Sequence, residues 1–536
     1  MVNHEQETPR DLERYLRPSS PVPVAWPTIC EAVNAVTGTA GPADLKISGV
    51  SLNPQTVQPG DVFLAISGAK RHGAQFLSAA LRHGARAVIT DTRGSEIIGP
   101  EPGVPVAVVT DVRAVAATVA ATIYGTNLRT PELFAVTGTN GKTTTTFMIR
   151  ALLEALGRAT GIVGTIEMSA RGKIIPSVLT TPEATQLHGV LGRMTEQDVD
   201  SVAMEVSSHS LSYGRVDGLE FAVSGYTNLT QDHLDLHGSM DDYFATKARL
   251  FTPGRSRRAV VLVDDHYGRK LAAEAGIEVQ GLSLDAANAD AYWTVSTIHA
   301  SGLGHTFTLA SRDGVQLRAR TGLPGAFNVA NAALALAMVL ASGADPAAVQ
   351  QALDSRDPFS LSVPGRMQVV AERPVAVVDF AHNSDALAKA LDSLPVTAAG
   401  RRIIVFGATG ERDTSKRPDM GAVAARHADV VIVTDDDPHD EAPGPIRDQV
   451  EAGARQAIEA DGLEVELHNV APRDRAVEFA VSLANAEDAI LVAGRGHEVY
   501  QEVAGIDVSL DDREELAKSL AKHGYTPVSA FAQSIE

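Results

Sequence analysis

The chain has 536 residues, which exceeds what one hydrophobic core usually holds, so its length predicts about three domains. Hydrophobic residues make up 44% and charged residues 21% of it, values typical of a folded globular protein rather than a disordered one. The formal net charge of −20 argues against a nucleic-acid partner, because proteins that wrap DNA or RNA carry a basic field. Small anionic substrates would need local donors to overcome this field.

The cysteine count and the length of the apolar runs indicate in which cellular compartment the protein is expected. The single cysteine, Cys30, excludes an intramolecular disulfide and favours the cytoplasm. Residues 1–23 have no apolar centre, so we expect no signal peptide there, and we expect roughly the first 20 residues to be disordered. The most apolar run, Ala332–Ala341, is shorter than the roughly 20 residues that cross a membrane, and it predicts a buried helix. We expect a cytoplasmic monomer without a membrane span.

Short β-branched runs alternate with alanine- and leucine-rich stretches along most of the chain. This alternation predicts α/β domains with mostly parallel sheets and helices on both faces. Polar and glycine residues follow the runs, and ligands of such sheets collect at the carboxyl ends of strands. The predicted strands include Val104–Val109, Glu132–Val136, Ala259–Asp265, Arg401–Gly407, Asp429–Asp437 and Asp488–Gly494. Turn-rich segments at Tyr124–Leu133 and Ser355–Met367 predict domains at 1–130, 131–368 and 369–536.

The first chemical motif along the chain is VTGTNGKTTTTF, Val136–Phe147, which lies between a predicted strand and a predicted helix. Its glycines allow backbone N–H groups to face an anion at the helix N-terminus. Lys142 can reach the β- and γ-phosphates, and the hydroxyl of Thr143 can bind Mg²⁺. The pattern G-x-x-G-K-T is shorter than the common phosphate loop. It predicts a nucleoside-triphosphate site formed by Gly138, Thr139, Asn140, Gly141, Lys142, Thr143 and Thr144.

Other segments occur in the order seen in one enzyme family. From about Ile47 onward the chain resembles the Mur ligases, the ATP-dependent amide-forming enzymes of peptidoglycan precursor synthesis, and most closely their tripeptide-synthetase (MurE-type) branch. The ordered set carries the resemblance, since only the phosphate loop is decisive alone. The segments are Leu179–Ala184, Val202–Val216, Thr227–Phe251, Gly325–Ala332, Val363–Met367, Val377–Leu387 and Val492–Gln501.

The resemblance implies an ADP-forming acid–amino-acid ligase with ATP and Mg²⁺ as cofactors. It implies a UDP-sugar-binding α/β domain, a central phosphate-loop ATPase-like domain with a parallel sheet, and a Rossmann-like domain for the amino acid. The substrate would be UDP-MurNAc-L-Ala-D-Glu, whose D-Glu receives a diamino acid. ATP would convert the carboxylate to an acyl phosphate, which the amine attacks. The protein must then hold these charged groups in line.

The resemblance also implies catalytic and metal-binding residues. Lys142 and Lys247 are expected to be catalytic, and the family's lysine that matches Lys247 is carbamylated by CO₂, which makes it a carboxylate-like metal ligand. Glu205 and His233 match Mg²⁺ ligands and join Thr143 and Lys247 in the expected metal set. Because Mg²⁺ prefers oxygen ligands, the assignment of His233 as a metal ligand rests on the resemblance alone. A capping or core role for His233 is the alternative.

Further residues are matched to the three substrates. Asn53, Pro54 and Gln55 stand where the family commonly has a D-S-R segment, so main-chain contacts near Leu52 are expected to replace the serine contact to uracil. Ala69, Lys70 and Arg71 match a nucleotide-binding stretch, with an exposed basic turn as the alternative. The ATP-side matches are Asn328, Asn331, Arg366 and Asp379, and the muramoyl-dipeptide matches are Thr180, Thr181, Ser207, Tyr213 and Arg215.

The amino-acid site departs from the family pattern. Members that add meso-diaminopimelate carry D-N-P-R, whereas this chain has Asp436, Asp437, Pro438 and His439. An imidazole replaces the guanidinium and an extra carboxylate appears, which favours L-lysine or L-ornithine over meso-diaminopimelate. The remaining expected contacts are Arg412 for the α-carboxylate, Glu498 with Asp436 for the distal ammonium, and Gly494.

Two alternative functions stay open at this point. The first is a folylpolyglutamate synthetase-like ligase, which has a similar shortened loop but lacks a dedicated UDP-binding first domain. The second is a non-ligase ATPase that uses the loop as a nucleotide switch. A ligase would release phosphate from ATP only when both the carboxylate and the amine are present.

Overall fold

The computed structural model describes residues 9–39, 41–68, 70–175, 180–232, 234–411 and 413–532. Within these ranges the fold consists of three large β-sheets with helices packed against them and two small two-stranded sheets, β1-β3 and β25-β26. The predicted strands are confirmed, because each of those runs overlaps a strand of one of the three large sheets. Over the described ranges, no helix combines the length and apolar character needed to span a membrane.

The first sheet has the strand order β2-β7-β6-β5-β4, in which only β2 runs antiparallel to its neighbour. Val62, Leu64 and Ile89 of its strands pack against Val119 and Ile123 of the longest helix in this region. The elements are α1 Pro9–Glu13, β1 Val24–Ala25, α2 Trp26–Ala32, β2 Val36–Thr39, β3 Lys46–Ile47, β4 Gly49–Ser51, β5 Asp61–Ala65, α3 Leu77–His83, β6 Ala87–Thr90, α4 Thr92–Ile98, β7 Val106–Val108 and α5 Val112–Tyr124, with 3-10 turns at Arg14–Leu16 and Gly73–Phe76.

Residues 9–20 differ from the disorder expected at the N-terminus. Leu16 is buried, and the guanidinium of Arg17 donates to both carboxylate oxygens of Asp61 at 2.8 Å. It also donates to Glu13 Oε1 at 3.3 Å. A polar segment is ordered here because a distant carboxylate compensates its cation, and Asp61 lies 44 residues further along the chain.

The second sheet has the strand order β11-β10-β9-β12-β8-β13-β14-β15-β16-β17-β18. It is parallel from β9 to β16 and antiparallel at both edges. The elements are β8 Glu132–Thr137, α6 Lys142–Ala155, β9 Thr160–Val163, β10 Met168–Ala170, β11 Lys173–Ile174, α7 Ala184–Glu196, β12 Ser201–Glu205, α8 Ser208–Ser212, β13 Phe221–Tyr226, α9 Leu234–His237, α10 Met240–Ala248, β14 Ser256–Leu262, α11 His266–Glu274, β15 Glu278–Ser283, β16 Trp293–Ser301, β17 Gly304–Ser311, β18 Gln316–Thr321, α12 Ala326–Ala341 and α13 Pro346–Arg356, with a 3-10 turn at Arg249–Phe251.

Helices α6 and α12 pack together against one face of the second sheet. The predicted buried helix is confirmed, since Ala332–Ala341 lies within α12 and Leu334, Leu336 and Met338 have no exposed surface. Phe147 and Leu152 of α6 belong to the same core. This packing fixes the N-terminus of α6 at the carboxyl end of β8, where the phosphate loop lies.

The third sheet has the strand order β19-β20-β24-β21-β22-β23, with only β19 antiparallel to its neighbour. The strands β20, β24, β21 and β22 therefore end at the same edge of this sheet. The elements are β19 Gln368–Glu372, β20 Val375–Asp379, α14 Ser384–Asp392, β21 Arg402–Phe406, α15 Lys416–His427, β22 Val430–Val433, α16 Pro443–Asp461, β23 Glu466–Asn469, α17 Arg473–Leu483, β24 Ala489–Ala493, the hairpin β25 Tyr500–Val503 and β26 Ile506–Ser509, α18 Asp512–Lys522 and α19 Ser529–Ala532.

Candidate active site

The loop between β8 and α6 is held by residues that the sequence analysis did not single out. Gly138 has φ 146°, and a Cβ there would lie 1.8 Å from Thr227 Oγ1. Thr227 Oγ1 donates to the carbonyl of Asn140 at 2.6 Å, and the Asn140 N–H donates to Asn228 Oδ1 at 3.0 Å. Thr227 and Asn228 directly follow β13, so the rule that sites follow strands could have identified them.

A half-buried lysine, Lys142, and a buried lysine, Lys247, meet at this loop. Lys142 Nζ donates to the carbonyls of Gly138 at 3.0 Å and Thr139 at 2.8 Å, and Lys247 Nζ donates to the same Gly138 oxygen at 2.9 Å. Burial lowers the pKa of Lys142, against the opposing effect of Glu205. Burial, followed by repulsion from Lys142, lowers the pKa of Lys247 well below its usual value. The structure thus brings both predicted lysines to one backbone oxygen.

Glu205 ends β12 and faces the first turn of α6. Its Oε2 accepts hydrogen bonds from Thr143 Oγ1 at 3.0 Å and Thr165 Oγ1 at 3.1 Å, and its Oε1 accepts from the Thr165 N–H at 2.8 Å. A carboxylate and a hydroxyl at this distance fit Mg²⁺, which takes oxygen ligands and keeps few protein groups beside phosphates and water. In the described part of the chain, no three His, Cys, Asp or Glu residues form a metal cluster, and His233 lies outside it.

A cavity of about 830 Å³ opens in front of the phosphate loop, between the second and third sheets. In one wall, Asn331 Nδ2 donates to Asn328 Oδ1 at 3.0 Å, and Asn328 Nδ2 donates to the carbonyl of Pro324 at 2.7 Å. Phe327 of the same helix also lines the cavity and was missed by the sequence analysis. The predicted residues that line it are Thr139, Asn140, Gly141, Lys142, Thr143, Thr144, Glu205, Asn328, Asn331, Arg366 and Asp379.

Arg366 and Asp379 form the opposite wall. The guanidinium of Arg366 lies 4.3 Å from the centre of the Phe380 ring, and burial lowers its pKa from the usual value. Asp379 accepts hydrogen bonds from the N–H groups of Met367 at 2.6 Å and Ala381 at 2.9 Å. The carboxylate thereby orients the segment that carries Arg366 toward the cavity.

The predicted dipeptide residues lie beside Glu205. Thr181 Oγ1 donates to the carbonyl of Glu205 at 3.0 Å, and Thr165 Oγ1 donates to Thr180 Oγ1 at 3.2 Å. Arg215 forms an ion pair with Glu183 at 2.9 Å, so a bound anion would have to compete with that carboxylate. Ser207 caps α8 by accepting from the Ser210 N–H, and the side chain of Tyr213 is exposed.

The predicted nucleotide-sugar residues do not line the cavity of about 830 Å³. Leu52 and Asn53 follow β4, and the Asn53 N–H donates to Ser51 Oγ at 3.1 Å. Lys70 and Arg71 are exposed and follow the neighbouring parallel strand β5, so both groups lie at the same edge of the first sheet. Ala69 lies outside the described residues.

The predicted amino-acid residues follow two parallel strands of the third sheet, β22 and β24, which are separated by β21. Asp436, Asp437, Pro438 and His439 follow β22, whereas Gly494 and Glu498 follow β24. The Asp437 carboxylate pairs with Arg495, and His439 Nδ1 lies 2.9 Å from Glu502 Oε2. Burial, followed by repulsion from Asp436 and Asp437, raises the pKa of Glu498 to about 8. Arg412 lies outside the described residues.

Comparison with protein families gives three matches in chain order. The model of the Mur ligase family catalytic domain matches residues 46–124, that of the Mur ligase middle domain matches 136–339, and that of the Mur ligase glutamate ligase domain matches 365–496.

Curated relatives cover nearly the whole chain. UDP-N-acetylmuramoyl-L-alanyl-D-glutamate--2,6-diaminopimelate ligase of Streptomyces coelicolor is 40% identical over 95% of this chain and 99% of its own. UDP-N-acetylmuramyl-tripeptide synthetase of Leifsonia xyli subsp. xyli is 40% identical over 90% of this chain and 93% of its own.

Solved structures share the fold. That of a UDP-N-acetylmuramoyl-L-alanyl-D-glutamate--2,6-diaminopimelate ligase has a TM-score of 0.65 and 30% identity, and it covers 94% of this chain and 100% of its own. Escherichia coli FolC has a TM-score of 0.54 at 22% identity over 71% of this chain and 90% of its own, which is a likeness of fold alone. Together with the family matches, these findings show that the chain belongs to the Mur ligase family, in its tripeptide-synthetase (MurE-type) branch, and is an ATP-dependent ligase.

Proposed function

We propose that the protein joins the amino group of a diamino acid to the D-Glu carboxylate of UDP-MurNAc-L-Ala-D-Glu, with ATP activating that carboxylate as an acyl phosphate. The names of the relatives support this substrate. The observation that carries it is the placement of Lys142, Glu205 and Arg366 around one cavity between the second and third sheets. Phosphoryl transfer to a carboxylate needs such a set, because several anionic groups must be held together in line.

Each group around the cavity has a role in this proposal. Lys142, Arg366 and the N–H groups of the phosphate loop bind the triphosphate, and Asn328 and Asn331 hold the adenine side. Thr143 and Glu205 hold Mg²⁺, which neutralises phosphate charge when bound. Lys247, as its carbamate, supplies a further oxygen ligand. His233 is kept as a proposed ligand from the family resemblance.

The two parts of the UDP-MurNAc-dipeptide are assigned to the first sheet and to the second sheet. The edge of the first sheet at Leu52, Asn53 and Lys70 binds the UDP moiety, with Ala69 and Arg71 as neighbours. Thr180, Thr181, Ser207, Tyr213 and Arg215 bind the muramoyl dipeptide beside Glu205. We assign these functions to domains at 1–130, 131–368 and 369–536, and we infer a cytoplasmic monomer.

Meso-diaminopimelate is the first candidate for the amino acid. Relatives from Streptomyces coelicolor and Corynebacterium efficiens, at 40% and 41% identity, are named for 2,6-diaminopimelate. These names do not support the preference for L-lysine or L-ornithine that the sequence analysis reached. L-lysine and L-ornithine stay as second candidates because the residue at the expected arginine position is His439, which contacts Glu502.

The other two functions are less well supported. The relation to Escherichia coli FolC extends to the fold and covers 71% of this chain, whereas the curated ligases cover 89–95% of it. A nucleotide switch would not need an amino-acid site, and ligase family membership argues against it.

An amine panel tests the proposal. Purified protein would receive ATP, Mg²⁺, UDP-MurNAc-L-Ala-D-Glu and one amino acid at a time: meso-diaminopimelate, L-lysine, L-ornithine or L-alanine. We expect ADP and a lengthened peptide, measured by mass spectrometry, with a diamino acid and not with L-alanine. The control variant Lys142→Ala should form neither product. ADP formation that does not depend on the amine would contradict the proposal.

A further inference from the structure

The hairpin β25–β26 is attached to the loop that follows β22. The His439 N–H donates to the carbonyl of Glu502 at 3.2 Å, and the Ala504 N–H donates to the carbonyl of His439 at 2.8 Å. The Glu502 N–H donates to Asp437 Oδ1 at 3.2 Å. These backbone contacts fix the position of Glu502 relative to the loop Asp436–His439, so the hairpin lies against the predicted amino-acid residues.

The side chains of His439 and Glu502 meet at this wall. The distance from His439 Nδ1 to Glu502 Oε2 is 2.9 Å, and 45% of the Glu502 side chain is exposed against 21% of the His439 side chain. His439 has φ 51°, a left-handed conformation that sets the direction of its side chain. The carboxylate of Glu502 is therefore held at a defined place and stays accessible to a substrate.

Three neighbouring carboxyl groups, those of Asp435, Asp437 and Glu498, are less suited to receive a cation. Asp435 pairs with Arg447 and Asp437 pairs with Arg495, so permanent cations already compensate both. The pKa of Glu498, raised to about 8 chiefly by burial, leaves that carboxyl largely protonated near pH 7. The contact of Glu502 is with an imidazole, which carries a full charge only when protonated.

We propose that Glu502 is a specificity-determining residue that receives the distal ammonium of the incoming diamino acid. The proposal rests on the proposed function and deepens it. Meso-diaminopimelate, L-lysine and L-ornithine all carry a distal ammonium, so the role of Glu502 is the same for each of them. His439, on the other side of the contact, stands at the position of the arginine that the family resemblance assigns to a distal carboxylate. A charge-assisted hydrogen bond to Glu502 then separates diamino acids from monoamino acids of the same length.

The test compares substrates that differ only in the distal amine. We would measure kcat/KM of the wild type and of Glu502→Gln for L-lysine against L-norleucine, and for meso-diaminopimelate against L-2-aminopimelate. The preference is the ratio of kcat/KM for the diamino acid to kcat/KM for its analogue without the distal amine. For whichever diamino acid the wild type accepts, Glu502→Gln should lower this ratio by about tenfold or more. KM for ATP and for the UDP-MurNAc-dipeptide should stay unchanged. Glu502→Asp should restore part of the preference.

A matched control lies on the same hairpin. Asp507 of β26 lies directly opposite Glu502 in the strand register, and its side chain is exposed. Asp507→Asn therefore removes one negative charge from the same hairpin. This variant should keep the wild-type preference within about twofold. If Glu502→Gln keeps the wild-type preference, or lowers kcat/KM equally for both members of a pair, the inference is wrong while the proposed function stands. If the wild type lengthens no peptide with any diamino acid, both are wrong.

Discussion

Lys247 lies on α10 with 1% of its surface exposed, and its amine donates to the same carbonyl of Gly138 as Lys142. Burial of this amine, followed by repulsion from the nearby Lys142 ammonium, lowers the pKa of Lys247 well below its usual value. A neutral amine is the form that reacts with CO₂. These contacts give a physical reason for the proposed carbamylation of Lys247, which the sequence analysis inferred only from resemblance.

Lys247→Ala should abolish turnover, because the proposed carbamate ligand is lost with the amine. Addition of a short-chain carboxylic acid should restore part of the phosphate release, since its carboxylate can occupy the vacated space. Lys270→Ala, which removes a lysine that lies over Phe244 in the neighbouring helix, should keep wild-type activity. Full activity of Lys247→Ala without added acid would reject the role of Lys247.

Glu498 predicts a dependence of stability on pH. Its pKa is about 8 in the folded protein against an ordinary 4.5, so the folded state binds the extra proton between these values. Stability from this group is complete below pH 4.5 and is lost as the pH rises through about 8. Glu498→Gln imitates the protonated form, so its melting temperature should rise relative to wild type as the pH increases from 5 to 8.5. A constant difference across this range would contradict the assignment.

At the scale of elements, a polar segment becomes structured through one buried ion pair. Arg17 follows the short helix α1, and its side chain is 10% exposed, whereas that of its partner Asp61 in β5 is 1% exposed. Arg17 also donates to the carbonyl of Val50 in β4 at 3.1 Å. Residues 13–17 are therefore packed against the first sheet.

Arg17→Met should destabilise the first sheet by roughly 3–5 kcal/mol, because Asp61 would keep a buried charge without its partner. Hydrogen exchange of the amides of Val50 and Val62 would measure this loss locally. Arg14→Met removes an exposed pair with Asp11 at 3.9 Å and should cost less than about 1 kcal/mol. Equal exchange rates in the two variants would show that the buried pair contributes no more to the stability of the first sheet than the exposed pair does.

The sequence predicted those features that depend on neighbouring residues. The strand, glycine loop and helix around Lys142 are local, and the structure contains them as β8, the phosphate loop and α6. The supports of that loop are distant in sequence, since Thr227 and Asn228 lie about 90 residues away and were missed. The contact of His439 with Glu502 spans 63 residues and could not be inferred from either segment alone.

At the scale of the whole molecule, the cavity joins residues of two sheets. Asn140 of the phosphate loop donates to Asp385 of α14 at 3.2 Å, and Gly365 approaches Gly496 closely enough that a Cβ there would lie 2.1 Å from its carbonyl carbon. The chain carries a net charge of −20, yet the cationic side chains of Lys142 and Arg366 both line this cavity. An anionic nucleotide can therefore bind locally against an unfavourable overall field.

Transfer of the γ-phosphoryl group to the carboxylate of the dipeptide is the central claim, and an oxygen label tests it most directly. The reacting carboxylate of UDP-MurNAc-L-Ala-D-Glu would be enriched in ¹⁸O and incubated with ATP, Mg²⁺ and the preferred diamino acid. If an acyl phosphate forms and the amine displaces it, each phosphate released carries an oxygen atom from the carboxylate. Mass spectrometry should then find ¹⁸O in the phosphate in proportion to the peptide formed. Phosphate free of ¹⁸O beside a lengthened peptide would contradict the account.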